Sequence, residues 1–435
     1  MNHLFSDLFI RPRKTFALEE FARLTHLKWQ SDRYSTLQFP NFNLTQREGK
    51  DLKELAELKS ESFRLKKRNG EERSKFSFID LFAGIGGFRL AGENAGGICR
   101  FSSEKDKYAR ISYHHNFGEM PFGDINFFTR SENIHLIPDH DILCGGFPCQ
   151  AFSISGKREG FSDERGKLFH RIEDILRHKI KIDKPVKVVF LENVRNFEKH
   201  DDGKTFAKVE SILKNLGYFL ASAVIDSGRA GSPTKRQRIY LVAVHNSVPN
   251  ATEETVGKFQ VLMRKLESKS NLPTEINTLS DKFIIPLNKS EIELLKIDEV
   301  YLSKQTPLSS VKQMDENLVA TPDTIQIGAI QKGRQGERIY SRKCQAITFS
   351  AHGGGRAART GAYLIDGIVR RLHPTECAKI MGFTRSDQTM DIYGLRKKGV
   401  SDWQLYKQFG NSVVVPVIEK IFELILKEWT IEKTT

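Results

Sequence analysis

Cysteine is scarce in this chain of 435 residues, which contains five. They are Cys99, Cys144, Cys149, Cys344 and Cys377, and none forms a Cys-x-x-Cys pair or joins a histidine cluster at zinc-ligand spacing. An odd and scattered set of this kind argues against a disulfide framework and against a structural zinc site. We therefore expect no resident metal.

Long apolar runs are also missing. The chain has no run of about 18 apolar residues, the length that a membrane-spanning helix needs. The first residues, MNHLFSDLFIRPRK, lack the basic and then apolar layout of a signal peptide. A cytoplasmic protein without a membrane partner is the expectation from these two absences.

Positive charge, in contrast, is abundant. The 68 lysines and arginines outnumber the 54 acidic residues, which gives a formal net charge of +14 and a pI of about 9.4. A basic surface favours a polyanionic partner such as nucleic acid. The alternative is a protein that is basic without such a partner.

Residues 1–74 are predicted to form a helical N-terminal extension. The segment from Thr45 to Glu48 is a capping box, and Leu52, Leu55 and Leu58 follow at helical spacing. Basic residues crowd the end of this helix, which suits an accessory contact with DNA. The alternative is that they complement the helix dipole.

From residue 75 onward, apolar strand-like runs alternate with helical patterns. Strands are predicted at 76–82, 141–144, 186–191 and 239–244, and helices at 88–94, 168–180, 205–216, 374–381 and 414–427. This alternation predicts an α/β fold with a mostly parallel, doubly wound sheet. Residues 250–340 lose the rhythm and are typical of an irregular inserted domain, with helical fragments near 256–266 and 291–302.

A glycine-rich turn, DLFAGIGGF at residues 80–88, joins the first strand to the first helix. Glycines at this place let backbone amides approach a ligand closely. An acid about twenty residues further on, here Glu104, is placed to bind ribose hydroxyls. The pattern favours a nucleotide-like cofactor over its alternative, a tight turn without a ligand.

A second motif, GGFPCQ at residues 145–150, follows a predicted strand. Cys149 would then lie at the carboxyl edge of the sheet, where α/β proteins build their sites. A buried structural cysteine is the alternative. The small and basic residues at 153–160 are typical of a mobile loop that covers a ligand.

Charged residues stand at the ends of two further strands. Glu192 leaves the strand at 186–191, and a desolvated carboxyl there suits a proton donor. Arg236 and Arg238 enter the strand at 239–244, so their side chains are expected to share one face and one pocket. A solvated loop acid and a surface charge pair are the alternatives.

In their order and spelling, these motifs resemble those of the DNA (cytosine-5) methyltransferases of bacterial restriction-modification systems. The resemblance runs from Phe76 to the C-terminus and includes Gly123-Asp124-Ile125, RLHPTEC at 371–377 and FGNSV at 409–413. It implies the Rossmann-like fold of S-adenosylmethionine-dependent methyltransferases with a smaller, irregular target-recognition domain. The implied domains are the catalytic domain at 75–247, the target-recognition domain at 248–366, and a segment at 367–435 that returns to the catalytic domain.

The resemblance also implies roles, with S-adenosylmethionine as cofactor and duplex DNA as substrate. Cys149 would attack carbon 6 of a flipped-out cytosine, Glu192 would hold the ring nitrogen, and Arg236 and Arg238 would brace the pyrimidine and the nucleophile. The implied cofactor-binding residues are Phe82, Ala83, Gly84, Ile85, Gly86, Gly87, Glu104, Lys105, Asp124, Ile125, Pro148, Asn411 and Ser412. The implied DNA-binding residues are Ser153, Thr234, Gln335, Arg338, Thr348, His352, Gly354 and Gly355.

Within the target-recognition segment, Arg338 and Gln335 are candidates to read guanine and adenine edges. Contact with phosphate is the alternative, because most protein–DNA hydrogen bonds go to the backbone. This segment resembles enzymes with GC-containing sites.

Two residues depart from the family pattern. Thr234 replaces a glutamine that usually precedes the first arginine by two positions, and its side chain has a shorter reach. Lys105 follows Glu104 where the family often has an apolar or aromatic residue, and its aliphatic stem is expected to cover the adenine. Neither change removes a catalytic atom.

Three other interpretations remain at this point. The family has a tRNA-modifying branch, whose members have a smaller recognition region than this chain. A regulatory DNA-binding paralogue would lack the nucleophile or the glycines, which this chain keeps. The extension at 1–74 would add repression of the enzyme's own gene. A monomer, associated with the nucleoid and accompanied by a restriction endonuclease that acts on the same site without direct contact, is the implied setting.

Overall fold

The computed structural model describes residues 74–131, 133–147, 167–267, 278–321, 323–385, 388–429 and 431. The predicted N-terminal helix and the motif residues Pro148, Cys149 and Ser153 lie outside these ranges. In the part of the chain that is described, no helix is long and apolar enough to cross a membrane. The same residues contain no group of three or more His, Cys, Asp or Glu side chains arranged to hold a metal ion.

The strands and helices follow one another in an α/β pattern. The strands are β1 Phe76–Leu81, β2 Gly97–Ser103, β3 Ile142–Gly146, β4 Val188–Val194, β5 Tyr218–Asp226, β6 Gln237–His245, β7 Gln326–Ala329, β8 Arg338–Ser341, β9 Ala362–Ile365, β10 Ile368–Arg371, β11 Thr384–Arg385 and β12 Gln388–Thr389. The α-helices are α1 Gly87–Asn94, α2 Lys107–Phe117, α3 Ile125–Phe128, α4 Lys167–Lys181, α5 Lys204–Asn215, α6 Glu253–Lys265, α7 Lys289–Leu295, α8 Leu308–Glu316, α9 Pro374–Met381, α10 Ile392–Lys397, α11 Asp402–Asn411 and α12 Val415–Glu428. Short 3-10 turns lie at Ile134–Leu136, Arg195–Phe197, Glu299–Tyr301 and Gln335–Glu337.

The larger sheet has six strands in the order β2-β1-β3-β4-β6-β5 and lies in the predicted catalytic domain. The pairs β1–β2, β1–β3 and β3–β4 are parallel, as the alternation of strands and helices predicted. All six residues of β1 are buried, because a central parallel strand is covered on both faces. The order reverses direction at β1, which places the carboxyl ends of β1 and β3 beside a topological switch point.

Aromatic side chains join the last helix to this sheet. Phe422 of α12 lies 5.6 Å from Phe76, 6.3 Å from Phe78 and 5.2 Å from Phe190, measured between ring centroids. Aromatic pairs at such distances add about 0.5–1.5 kcal/mol each beyond the burial of their area. The end of the chain therefore belongs to the core of the sheet.

A second sheet was not predicted from the sequence. Its order is β10-β9-β8-β7, with β8 and β9 parallel and the two outer pairs antiparallel. The β9–β10 hairpin closes through Asp366 and Gly367, which both have positive φ, as a two-residue Asp-Gly turn requires. Of these strands, only β7 and most of β8 fall within the segment 250–340 that was expected to be irregular. Strands of four residues are too short to give a clear alternation.

The second sheet has its own apolar core. The core residues are Ile297, Val311, Ile327, Ile330, Ile339, Ala357, Ala362, Leu364 and Val369. They come from helical, strand and loop segments spread over more than seventy positions, so burial and not local periodicity holds this region together.

By density of internal contacts, the chain divides into two compact units. The first contains the described residues up to Ala223, the segment Ile239–Gln260, and the chain from Phe422 onward. The second contains Val224–Arg238 and Val261–Ile421. Most of the segment 367–435, which the sequence places with the catalytic domain, falls in the second unit by this measure.

Candidate cofactor-binding and catalytic site

The glycine-rich turn follows directly from the end of β1. Phe82, Gly84 and Gly86 all have positive φ, at 54°, 55° and 88°. Gly86 also begins α1 as its N-terminal cap. A Cβ at Gly86 would lie 2.2 Å from Cε2 of Phe117, whereas a Cβ at Gly84 would meet nothing within 4 Å. The turn therefore packs against Phe117 at Gly86 and has open space at Gly84.

Glu104 is held against this turn. β1 and β2 pair in register at Leu81 and Ser103, so the residue after β2 comes beside the turn. The Gly84 amide donates to Oε2 of Glu104 at 2.7 Å, and the Asp106 amide donates to Oε1 at 2.6 Å. Burial raises the pKa of Glu104, against the effect of these amides. Each carboxylate oxygen keeps a second lone pair for a ligand hydroxyl.

The other predicted cofactor residues of the catalytic sheet lie along the same edge. Ser103 donates from Oγ to the carbonyl of Gly123 at 2.7 Å, which fixes the segment that leads to α3. Asp124 caps α3, and Ile125 is buried. The ammonium of Lys105 lies 3.2 Å from Oδ2 of Asp124, so it makes an exposed ion pair. Ala83, Ile85 and Gly87 are buried in the turn itself.

The GGFPCQ motif begins beside Glu192, at the ends of β3 and β4. Gly146 pairs in register with Glu192, and a Cβ at Gly146 would lie 3.3 Å from Oε2 of that carboxyl. Glu192 is 8% exposed. Asn193 donates from Nδ2 to the carbonyl of Phe147 at 3.2 Å, so the strand that carries Glu192 also holds the chain immediately before Pro148.

Phe147 is anchored by its ring as well as by its carbonyl. The ring packs at 5.8 Å from Phe169 and at 5.3 Å from Phe197. The last described residue before the GGFPCQ cysteine is therefore fixed on two sides. Cys149 itself lies outside the described residues.

Arg236 makes a set of contacts that the sequence did not predict. It is 2% exposed and donates to the carbonyls of Phe349 at 3.1 Å, Gly410 at 3.0 Å and Ser412 at 2.6 Å. These bonds tie three chain segments together. The Nη1 and Nη2 groups of Arg236 are therefore fixed by backbone carbonyls. Arg238 is half-buried and donates to the carbonyl of Gln237.

Asn411 and Ser412 end α11 beside the carbonyls that Arg236 holds. Asn411 is exposed, and Ser412 is 8% exposed. A Cβ at Gly410 would lie 2.2 Å from the amide nitrogen of Ala351. The segment that contains two predicted cofactor residues thus packs backbone to backbone against the predicted recognition segment.

The predicted DNA-binding residues are mostly exposed and lie on two touching segments. A Cβ at Gly336 would lie 2.1 Å from the carbonyl oxygen of Gly354, and one at Gly355 would lie 2.6 Å from that of Gly336. The exposed members are Arg338, Thr348, His352, Gly354 and Gly355. The side chain of Gln335 is outside the described part, as is Ser153.

Thr234 requires a correction. It is completely buried, and its hydroxyl donates to the carbonyl of Ile347 at 3.2 Å. An isolated bridge to Ala346 adds a second link to the same segment. Thr234 therefore holds the recognition segment in place through Ile347 and Ala346. Its buried side chain is not presented at the surface.

Two functional candidates were missed in the sequence. Arg356 and Arg359 follow the glycine run at 353–355, and each guanidinium lies over an aromatic ring. Their signal was present, because basic residues directly after an exposed glycine run suit a polyanion. Their ring partners, Tyr301 and Trp403, are too distant in the chain to be inferred.

Comparison with known proteins decides what this site belongs to. Residues 76–427 match the family described as C-5 cytosine-specific DNA methylase. The chain belongs to this family. It is 46% identical over 344 residues to Type II methyltransferase M.HhaI of Haemophilus parahaemolyticus, covering 79% of this chain and 92% of that one. It is 37% identical over 366 residues to Type II methyltransferase M.HpaII of Haemophilus parainfluenzae, covering 83% and 92%.

Solved structures agree with this cytosine-5 methylase fold. The Dnmt2 methyltransferase of S. pombe superposes with a TM-score of 0.57 at 19% identity, covering 81% of this chain and 98% of that one. The methyltransferase EhMeth of Entamoeba histolytica gives 0.56 at 19% identity, with coverage of 82% and 99%. At such identity these two confirm the fold alone.

The family and its type II relatives establish the activity. The methylase transfers the methyl group of S-adenosylmethionine to carbon 5 of cytosine in DNA, at a specific sequence, as in restriction-modification systems. The predicted enzyme class, cofactor and DNA substrate are confirmed. The RNA-modifying and purely regulatory interpretations are set aside.

Proposed function

We propose that Cys149 is the covalent nucleophile of this methylase and that Glu192 is its partner on the cytosine ring. The observation that carries the proposal is the register of β3 and β4, which sets Glu192 beside Gly146, three residues before Cys149. The anchored ring of Phe147 supports it, because a nucleophile needs a fixed approach.

The chemistry explains why these side chains are needed. Carbon 5 of cytosine is a weak nucleophile. Addition of the Cys149 thiolate to carbon 6 forms a sulfur–carbon bond and makes carbon 5 enamine-like, while the carboxyl of Glu192 stabilises the charge that the ring nitrogen gains. After methylation, carbon 5 loses its proton and the sulfur–carbon bond breaks, which returns the thiolate. Both faces of the base are stacked in a duplex, so the cytosine is flipped out first.

The residues around the glycine turn fit a nucleoside-containing cofactor. We assign its binding to Phe82, the turn at 83–87, Glu104, Lys105, Asp124, Ile125, Pro148, Asn411 and Ser412. The open space above Gly84 and the free lone pairs of Glu104 support a ribose at this edge. When bound, S-adenosylmethionine supplies an electrophilic methyl group on its sulfonium.

Arg238 is assigned to brace the pyrimidine, and Arg236 to position the segments that surround it. In the recognition part, Gln335, Arg338, Thr348, His352, Gly354 and Gly355 are assigned to DNA, together with Ser153. Domain limits of 75–247, 248–366 and 367–435, with an accessory extension at 1–74, complete the assignment. A monomer in the cytoplasm, nucleoid-associated when on DNA and paired with a cognate endonuclease, is the proposed setting.

Methyl transfer from labelled S-adenosylmethionine to plasmid DNA tests the nucleophile. The wild type and Cys149→Ser are compared, and 5-methylcytosine is mapped at base resolution. We expect label at one short motif with the wild type and none with the variant. Cys344→Ser, which alters a buried thiol in the second unit, is the matched control and keeps activity. Methylation by Cys149→Ser at the wild-type rate would refute the assignment.

A further inference from the structure

Two arginines follow the exposed glycine run at 353–355, and each is stacked on an aromatic ring. The guanidinium carbon of Arg356 lies 3.2 Å from the ring centroid of Tyr301. That of Arg359 lies 4.2 Å from the ring centroid of Trp403, and its Nη1 donates to the Trp403 carbonyl at 3.0 Å. Trp403 is 56% exposed, so this stack lies at the surface.

The backbone holds both arginines in place. Between them, Ala357 is buried and donates its amide to the carbonyl of Gly336 at 3.0 Å. The carbonyl of Arg359 accepts from the amide of Ser350 at 2.9 Å. Arg359 has a φ of 80°, a conformation that residues other than glycine rarely adopt. A strained residue that the surrounding structure maintains is a candidate for function.

The charge of this segment is strongly one-sided. Residues 331–360 contain seven basic residues, Lys332, Arg334, Arg338, Arg342, Lys343, Arg356 and Arg359, and one acid, Glu337. Arg342 is engaged with Asp281 and Asp366. Among the described residues, neither Arg356 nor Arg359 makes an ion pair with a carboxylate.

Stacking fixes a guanidinium without using up its donors. The N–H groups of arginine lie in the plane of the guanidinium, whereas the ring contact uses its face. Arg356 keeps its donors, and Arg359 spends one of them on a carbonyl. Planar donors of fixed orientation match the oxygens of a phosphate.

We propose that Arg356 and Arg359, stacked on Tyr301 and Trp403, form a phosphate clamp that holds duplex DNA against the glycine run at 353–355. The clamp adds affinity and sets the register of the duplex, while base selection belongs to other residues of the recognition segment. This proposal rests on the assignment of that segment to DNA.

Salt dependence of DNA binding tests the clamp. Arg356→Met and Arg359→Met are compared with the wild type by fluorescence anisotropy, from 50 to 200 mM salt. One duplex carries the motif that the wild type methylates, and the other has that motif scrambled. Each lost phosphate contact lowers the magnitude of the slope of log affinity against log salt by about 0.9. The ratio of wild-type to variant affinity therefore falls about 3-fold between 50 and 200 mM salt. We expect the same defect on both duplexes, a higher KM for DNA and an unchanged kcat.

Three further variants make the test specific. Arg359→Lys keeps the charge and is expected to retain the slope, and Trp403→Leu removes the stack but leaves the charge, so affinity falls while the slope stays. Arg177→Met removes an exposed arginine that is paired with Glu173, and it is expected to change neither quantity. If Arg359→Met does not fold, the Lys and Trp403 variants still decide the role of the stack.

Two results would overturn the clamp. Slopes that stay at the wild-type value in both arginine variants would exclude phosphate contacts. Relaxed methylation at one base position, with intact binding to the scrambled duplex, would make the arginines base readers. If the variants bind both duplexes as the wild type does, at every salt concentration, the assignment of the segment to DNA fails as well. If their affinity falls but the slopes do not change, only the clamp fails.

Discussion

Residues 84–87 and 353–355 are both glycine-rich, but their surroundings are opposite. In the first segment Gly86 lies against the rings of Phe117 and Tyr113, and the Gly84 amide donates to the carboxyl of Glu104. The second is exposed, basic and in contact with another backbone. Glycine therefore has a different structural role in each segment. In the first segment it permits left-handed backbone packed against the ring of Phe117, and in the second it lets two loops touch at the surface.

The largest difference between the two segments is expected on adding one methyl group to the buried turn. Gly86→Ala places a Cβ in left-handed backbone and against the ring of Phe117 at 2.2 Å. Left-handed conformation costs about 1–2 kcal/mol and overpacking about 1–3 kcal/mol, so we expect a loss of roughly 2–5 kcal/mol. Thermal unfolding and S-adenosylmethionine binding measure it.

Gly84→Ala is the matched control for that change. Its φ is also positive, but its Cβ meets nothing within 4 Å, so only the backbone cost of about 1 kcal/mol is expected. Its methyl group points into the space assigned to the cofactor, and the KM for S-adenosylmethionine should rise more than the stability falls. Equal destabilisation by the two variants would contradict the steric account of the turn.

Acid is expected to lower the stability of the fold through the buried residue His140. Burial, helped by the Lys179 ammonium, lowers the pKa of His140 to about 4, and this residue lies just before β3. Between pH 4 and the ordinary pKa of about 6.5, the unfolded chain binds a proton that the folded protein does not. His140 therefore favours folding above pH 6.5, and about 3 kcal/mol of that contribution is lost as the pH falls to 4.

Urea unfolding as a function of pH checks this sign. His140→Gln should flatten the decline between pH 6.5 and 4. His352→Gln changes an exposed histidine of the second segment and should leave the decline in place. A wild-type stability that rises on acidification through this window would count against a buried neutral His140.

Part of this site follows from local sequence and part does not. The glycine turn and Glu192 were predictable because each stands at the end of an apolar strand, and parallel strands bring their carboxyl ends together. Glu104 was predictable from its distance of about twenty residues from the glycine turn. The partners of Arg236 lie 113, 174 and 176 residues away, and no local pattern encodes them. Thr234 was misassigned for the same reason, since the carbonyl that its hydroxyl binds belongs to Ile347, 113 residues away. The hairpin at Asp366-Gly367 did carry a turn signal, but its flanking strands are short.

Arg236 is a buried residue that is bonded close to the exposed glycine run at 353–355, through the carbonyl of Phe349. Arg236→Met leaves the carbonyls of Phe349, Gly410 and Ser412 without their donor. Unsatisfied buried groups of this kind cost about 1–3 kcal/mol, and we expect roughly 2 kcal/mol after relaxation. The KM values for DNA and for S-adenosylmethionine should rise together. Arg238→Met, in contrast, should lower kcat with little change in stability, and a lower kcat alone in Arg236→Met would argue against its positioning role.

The smallest effect on stability is expected where the two exposed loops touch. Gly336→Ala would put a Cβ 2.1 Å from the carbonyl of Gly354, whereas Gly354→Ala would meet nothing within 4 Å. The exposed loop can shift, so we expect a cost near the lower limit of overpacking, about 1 kcal/mol, for the first variant and none for the second. The displaced loop would carry Arg356 and Arg359 with it, because Ala357 is bonded to the Gly336 carbonyl. DNA affinity should therefore fall more in Gly336→Ala than its stability suggests, while S-adenosylmethionine binding stays at the wild-type value. Equal DNA affinity of Gly336→Ala and the wild type, measured by anisotropy, would show that contact between the loops does not align the basic segment. The two glycine segments would then differ only in how deeply they are buried.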